Sequence, residues 1–204
     1  LTNRDGPCVV KIDSFIIMQA DIRAKNPQQQ ETEMETRTGI ITFMGNPLTL
    51  VGKELKKGDV APEVTLIDND LNPVALKNFL GKVVVVSAVP SLDTPICDME
   101  TRRFNQEAIN LGDDVRVLTV SMDLPFAQKR WCGAAGVDRV QTLSDHREAA
   151  FGTSYGILIQ ELRLLARCIF VIDKKGIIAG VHMVNEVSNE PDYDAVLEIV
   201  KKAM

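Results

Sequence analysis

Lys82–Asn110 reads KVVVVSAVPSLDTPICDMETRRFNQEAIN, and the fold follows from this stretch. Val83–Val86 are four β-branched residues in succession. Such a run keeps no polar side for water, which predicts a central strand buried on both faces. Pro90 has no N–H to give a ladder and ends the strand. Thr94 followed by Pro95 then reads as a helix start, with a hydroxyl at the cap and a proline where its missing donor costs nothing. Cys97, Thr101, Phe104 and Ala108 recur at helical spacing and share a face. A buried strand feeding a helix through a short loop is a unit of an open α/β sheet, where ligands meet the strand ends.

The pattern continues on both sides. Downstream, VRVLTVSM (Val115–Met122) predicts the next buried strand. PFAQKRWCGAAG (Pro125–Gly136) predicts a second helix, opened by Pro125 and weakened toward Gly133 and Gly136. VQTLSD reads as a short extended segment and HREAAFGTSYGI as helix and turn. ARCIFVIDKKGIIAGVHMV places two apolar runs around Asp173–Gly176, which is a β-hairpin pattern. Pro191 leads into a terminal helix with Tyr193, Val196, Leu197 and Val200 on one face and lysines at its end. Upstream, ITFMGNPLTLVG predicts a hairpin around Gly45–Pro47, and Lys56–Gly81 a turn, a short strand and a compact helical segment at Leu76–Phe79. Asn26–Gly39, NPQQQETEMETRTG, is polar and poor in core-forming residues, although a short apolar element, VVKIDSFIIM, precedes it. Residues 1–38 therefore read as a mobile N-terminal extension and 39–204 as one α/β domain, a mixed sheet flanked by helices.

Bulk properties narrow the function. With 204 residues, 45% of them hydrophobic, the chain can bury a sizeable core. A formal net charge of -5 gives no support to nucleic-acid binding. No apolar stretch is long enough for a membrane helix, and the first residues lack a positive–apolar–cleavage-site order, so the expected setting is cytoplasmic with no membrane partner. His146 and His182 stand in no metal-ligand spacing, and neither a dinucleotide fingerprint nor a phosphate-binding P-loop is present. The expectation is no cofactor and no metal. The four cysteines, Cys8, Cys97, Cys132 and Cys168, include no CxxC pair, which weighs against general dithiol–disulfide exchange.

Cys97 has the best surroundings for chemistry. The thiolate is the nucleophilic form of cysteine, and the N–H groups of a helix's first turn favour it. Attack on a peroxide builds charge on the departing oxygen, which a hydroxyl, backbone N–H groups and a guanidinium can stabilise. Thr94 offers the hydroxyl, and Arg167, just before the CIFVI strand, offers the guanidinium. Judged alone, each residue has a plainer reading: Pro90 stops a strand, Thr94 caps a helix, Arg167 is a solvated charge, and Cys97 and Cys132 are small core residues.

The residues taken together are distinctive. PSLDTPIC, Pro90–Cys97, matches the PxxxTxxC pattern of the peroxiredoxins. With SMDLPFAQKRWCGAAG and ARCIFVID in the same order, the chain resembles the bacterial thiol peroxidase subfamily, an atypical 2-Cys type, over about residues 40–204. The resemblance implies a thioredoxin-like fold with an added N-terminal β-hairpin, usually as a homodimer. It implies that Cys97 is the peroxidatic cysteine and Cys132 the resolving one. Pro90 would shield the pocket, Thr94 position the peroxide, and Arg167 stabilise thiolate and transition state. The implied cycle reduces hydrogen peroxide and organic hydroperoxides through a Cys97 sulfenic acid and an intrasubunit Cys97–Cys132 disulfide, recycled by thioredoxin or a related dithiol protein. Trp131 stands where that subfamily commonly has phenylalanine. Cys168, alternating away from Arg167, reads as an inert core thiol, and Cys8 as incidental. A redox sensor or chaperone-like binder using the same cysteine is the alternative.

Overall fold

The structure, a computed structural model, describes residues 34–204. The expectations placed on VVKIDSFIIM and Cys8 lie outside the described residues. Eleven strands and four helices follow one another in this order: β1 (Thr36–Phe43), β2 (Asn46–Val51), β3 (Thr65–Ile67), β4 (Pro73–Ala75), a 3-10 turn (Leu76–Phe79), β5 (Val83–Ala88), α1 (Pro95–Leu111), β6 (Val115–Ser121), α2 (Pro125–Ala135), β7 (Val140–Ser144), α3 (Ala150–Ser154), β8 (Leu158–Ile159), β9 (Leu164–Leu165), β10 (Cys168–Ile172), β11 (Ile178–Met183) and α4 (Tyr193–Ala203). Seven of the strands form one mixed sheet in the order β11-β10-β5-β6-β7-β3-β4. β5, β6 and β7 run parallel, and β10 joins β5 antiparallel. This is the thioredoxin-like arrangement expected from the sequence.

The valine run explains why β5 is central. Val83 and Val85 pack with Phe104 of α1 and with Val196 and Val200 of α4. Val84 and Val86 face the opposite layer, with Phe151, Tyr155 and Phe170. Every residue of β5 is buried. At about 2 kcal/mol for each fully buried valine, no polar alternation could replace this run without opening one layer.

The hairpin β1–β2 sits on that second layer through Ile41, Leu48 and Leu50. Its turn is Met44–Gly45, both at positive φ, so Asn46 and Pro47 belong to β2 rather than to the turn. β1 starts at Thr36, ahead of the Ile41 at which the hairpin pattern begins and of the domain start expected at residue 39. β8 and β9 were not foreseen; they extend the hairpin into a four-stranded sheet, β1-β2-β8-β9. Two residues each are too few to show a period, so only the partner strand reveals them.

Two glycines let this small sheet close on the domain. Gly52 has φ +102° and Gly156 has φ +66°; a Cβ on Gly52 would fall on the Thr153 carbonyl, and one on Gly156 on the Lys53 carbonyl. At the hairpin's other end, Glu186 acts as a clasp. Its carboxylate accepts from Thr42 Oγ1 at 2.8 Å and from the backbone N–H groups of Met44 and Gly45 at 3.1 and 3.2 Å. Thr42 also exchanges backbone hydrogen bonds with Asn185 and Val187. Hydrogen bonds from Ser188 and Thr42 hold the Glu186 carboxyl down at about 2.

Gly52→Ala is expected to cost about 3 kcal/mol or more of unfolding free energy in urea titration, because backbone must move and the residue keeps a left-handed φ. The Glu186 clasp is whole above pH 4.5, the ordinary carboxyl value, and is lost as pH falls toward about 2. Between those limits Tm should fall more steeply in the wild type than in Glu186→Gln, as read by thermal melts across the acid range.

Candidate active site

Strand register brings the reactive groups together. β10 runs antiparallel to β5 with Cys168 opposite Ala88. The residue before β10, Arg167, therefore lies beside the chain leaving β5, which passes through Pro90 to Cys97. Arg167 Nη2 donates to Cys97 Sγ at 3.4 Å. Its Nε and Nη2 also donate to the Val187 carbonyl at 3.2 and 3.1 Å, and Nη1 pairs with the Glu100 carboxylate. Ser87 of β5 donates to the other Glu100 oxygen at 2.6 Å. Two partners thus grip the guanidinium through three N–H groups, and a fourth is aimed at the sulfur.

The grip is buried. The Arg167 and Glu100 side chains are 2% and 0% exposed. Burial pushes the Glu100 carboxyl above the ordinary carboxylate value, partly offset by Arg167 and the Ser87 hydroxyl. Burial opposes the Arg167 charge too, but Glu100 and Cys97 outweigh it, and the guanidinium is held charged. A buried cation aimed at one sulfur stabilises negative charge there far more than a solvated one.

Cys97 is the third residue of α1 and is fully buried. It packs with Val89, Leu92 and Trp131, and Cys132 lies against the same cluster. Pro90 is buried at the end of the central strand. Thr94 is the N-cap residue by position but makes no side-chain cap hydrogen bond. Its hydroxyl instead donates to the Ser91 carbonyl at 2.8 Å, because the loop turns back within reach. Arg167 and Cys97 are brought into contact; Thr94, exposed on the loop before α1, is not hydrogen-bonded to either in this state.

Cys132, half-buried on α2, has its own partners. Its sulfur is 3.3 Å from Thr142 Oγ1 and 3.8 Å from Asn69 Nδ2. Both cysteines are free thiols. Cys168 is fully buried in the opposite layer, and burial pushes its thiol well up, as suits a core residue. His146 and His182 serve structure: one bonds Ser144 Oγ at 2.9 Å and the other accepts from the Asp192 N–H at 3.1 Å. Among the described residues no group of His, Cys, Asp or Glu could hold a metal, and no helix is long and apolar enough to cross a membrane.

Two residues escaped the sequence reading. Glu100 was missed although it lies one turn from Cys97; a carboxylate on the face shared by Cys97, Thr101 and Phe104 was the available signal. Asp123, inside SMDLPF, accepts from Ser91 Oγ at 2.7 Å, the Leu92 N–H at 2.8 Å and Ser121 Oγ at 2.8 Å. It fastens the loop before Cys97 to the turn before α2. An apolar cavity of about 980 Å³, lined by Leu55, Phe170, Ile178 and Val181, lies away from these groups.

Comparison with known proteins agrees with this geometry. Residues 56–197 match the Redoxin family. The chain is 57% identical over 162 residues to a thiol peroxidase of Oceanobacillus iheyensis, covering 79% of this chain and 98% of that one. It is 53% identical over 161 residues to the thiol peroxidase of Bacillus subtilis, covering 79% and 96%. Among solved structures, a peroxiredoxin-like protein from Aquifex aeolicus superposes with a TM-score of 0.77 at 44% identity, over 84% of this chain and 99% of that one. The chain belongs to the Redoxin family and, within it, to the thiol peroxidase subfamily of the peroxiredoxins.

Glu100→Ala strands the Arg167 charge in the interior and is expected to cost about 3–5 kcal/mol, measured by denaturant unfolding. Glu100→Gln keeps the volume, an acceptor for Arg167 in its amide oxygen and a donor to Ser87 Oγ in its amide nitrogen, and should cost distinctly less.

Proposed function

We propose that this enzyme reduces hydrogen peroxide and organic hydroperoxides with Cys97 as nucleophile, and that the Arg167–Cys97 contact carries the activity. Cys97 thiolate attacks one peroxide oxygen and the O–O bond breaks. The sulfur is oxidised to a sulfenic acid, and the other oxygen takes a proton and leaves as water or an alcohol. Arg167 holds the thiolate before attack and faces the charge that builds on the leaving oxygen. Thr94 turns its hydroxyl from the Ser91 carbonyl to the incoming peroxide. Pro90, packed at the strand end, keeps bulk water off the sulfur. The substrate enters past the exposed Thr94 and Pro95 as the first turn of α1 opens, since Cys97 is closed to solvent at rest.

Cys132 then displaces the sulfenic oxygen, which leaves as water, and an intrasubunit Cys97–Cys132 disulfide forms. A dithiol protein such as thioredoxin regenerates both thiols by exchange, its own dithiol being oxidised to a disulfide. The enzyme works as a homodimer in the cytoplasm, with an appended extension ahead of a catalytic domain that starts at β1 rather than at residue 39, since Thr36–Thr38 are paired in the sheet. No cofactor or metal takes part. The reading rests on the buried cation at the sulfur and on the match to thiol peroxidases.

Peroxide consumption coupled to a dithiol donor tests the scheme. Cys97→Ser should abolish turnover; consumption equal to that of wild type would end the assignment. Arg167→Met should lower the second-order rate constant with peroxide by roughly 10²–10³-fold. Cys132→Ser should still oxidise once at Cys97 but form no internal disulfide, as read by thiol mapping.

A further inference from the structure

The two cysteine helices are fastened together at the residues next to each cysteine. Asp98 follows Cys97 and Trp131 precedes Cys132. The Trp131 indole Nε1–H donates to Asp98 Oδ1 at 2.9 Å. Arg102 holds the same carboxylate through Nε, at 3.0 and 2.9 Å to its two oxygens. Arg102 Nη1 then reaches the Ala135 carbonyl at the end of α2, at 2.8 Å, and its guanidinium carbon lies 5.7 Å from the Trp131 ring centre. Arg102–Asp98 is internal to α1. The indole–carboxylate bond, the Ala135 contact and the stacked cation join α1 to α2 beside the apolar packing of Trp131 on Cys97.

We infer that the Trp131–Asp98 bond is a latch on resolution: it holds α2 folded against α1, and its opening limits how fast Cys132 reaches oxidised Cys97. This rests on the Cys97–Cys132 disulfide proposed above. A disulfide needs Cβ atoms about 4 Å apart with the side chains directed at each other. Here Cys97 is turned to Arg167 and Cys132 to Thr142 and Asn69. One sulfur must leave its partners, and the neighbour of each is tied across the helix pair. A hydrogen bond from a buried indole to a charged, part-buried acceptor slows that departure. Phenylalanine at position 131 would fill the same space and keep the cation stacked, but would have no N–H to give.

The latch sets a competition. While Cys97 waits as sulfenate, a second hydroperoxide can transfer an oxygen to it, giving sulfinate and a second water or alcohol. Disulfide formation ends that exposure. A slower latch means more sulfinate at a given peroxide concentration, with no change in the first attack. Trp131 packs beside Cys97 but makes and breaks no bond, and is thus a positioning residue for the second step.

The test compares wild type, Trp131→Phe and a control, Val196→Ala, whose side chain is buried in the α4 layer. Each reduced protein is cycled with a dithiol donor at rising hydrogen peroxide, and mass spectrometry reads the concentration that converts half of Cys97 to sulfinate. Quenched-flow alkylation reads the rate of the first oxidation. Trp131→Phe should raise the half-point roughly fivefold, leave the first oxidation unchanged, and speed amide exchange across residues 125–135. Val196→Ala, though lower in Tm, should keep the wild-type half-point. A Trp131→Phe half-point equal to or below wild type, with a normal Cys97–Cys132 disulfide, overturns the latch alone. An equal rise in Val196→Ala overturns it as well, since general loosening would then suffice. Absence of the disulfide in wild type overturns the cycle and the latch together.

Discussion

Arg167 in the interior is the constraint from which the rest of the site follows. A guanidinium taken out of water has to be met by an anion and by acceptors for its remaining N–H groups. Glu100 supplies the anion and the Val187 carbonyl takes two N–H groups, which leaves the sulfur of Cys97 as the next acceptor. Glu100 is itself a buried carboxylate and needs Ser87 behind it. Four elements, β5, α1, the start of β10 and the segment after β11, must therefore be in register before the charge is satisfied. The fold acts as the frame that holds one cation against one thiol.

The frame also keeps Cys97 sealed beside its cation. Its strand and helix are fixed from below by the valine layers, whereas its loop is fixed from the side by Asp123. The second cysteine sits on a helix anchored by buried Gln128, which donates to Ser121 Oγ and the Leu143 carbonyl, and by the contacts of Trp131 and Arg102, while its own sulfur meets Thr142 and Asn69.

The sequence made the central strand, both cysteine helices, the last hairpin and the terminal helix legible, because each has a long period or a clear stop. Val83–Val86 announces its burial by composition alone, and Pro95 and Pro125 mark helix starts that the structure keeps. The family pattern singled out Cys97 and Arg167, which geometry then brought together. Glu100 and Asp123 stayed hidden for a different reason. A buried carboxylate is recognised by its partners, and those partners lie on other strands. Thr94 shows the converse: a good capping residue whose hydroxyl found a nearer carbonyl. β8 and β9 were invisible because a strand of two residues is defined by its neighbour.

The Glu186 clasp has a wider reach than its exposed position suggests. Glu186 secures the tip of the β1–β2 hairpin, and the next residue, Val187, offers the carbonyl that carries two N–H groups of the buried guanidinium. Surface ribbon and Cys97 sulfur are thereby joined by one peptide bond, Glu186–Val187, with hydrogen bonds on either side of it, a lever whose outer arm is wet and whose inner arm is dry. Anything that seizes or lifts the ribbon, from an antibody to a neighbouring subunit, would pull on the electrostatics of the thiol without coming near it.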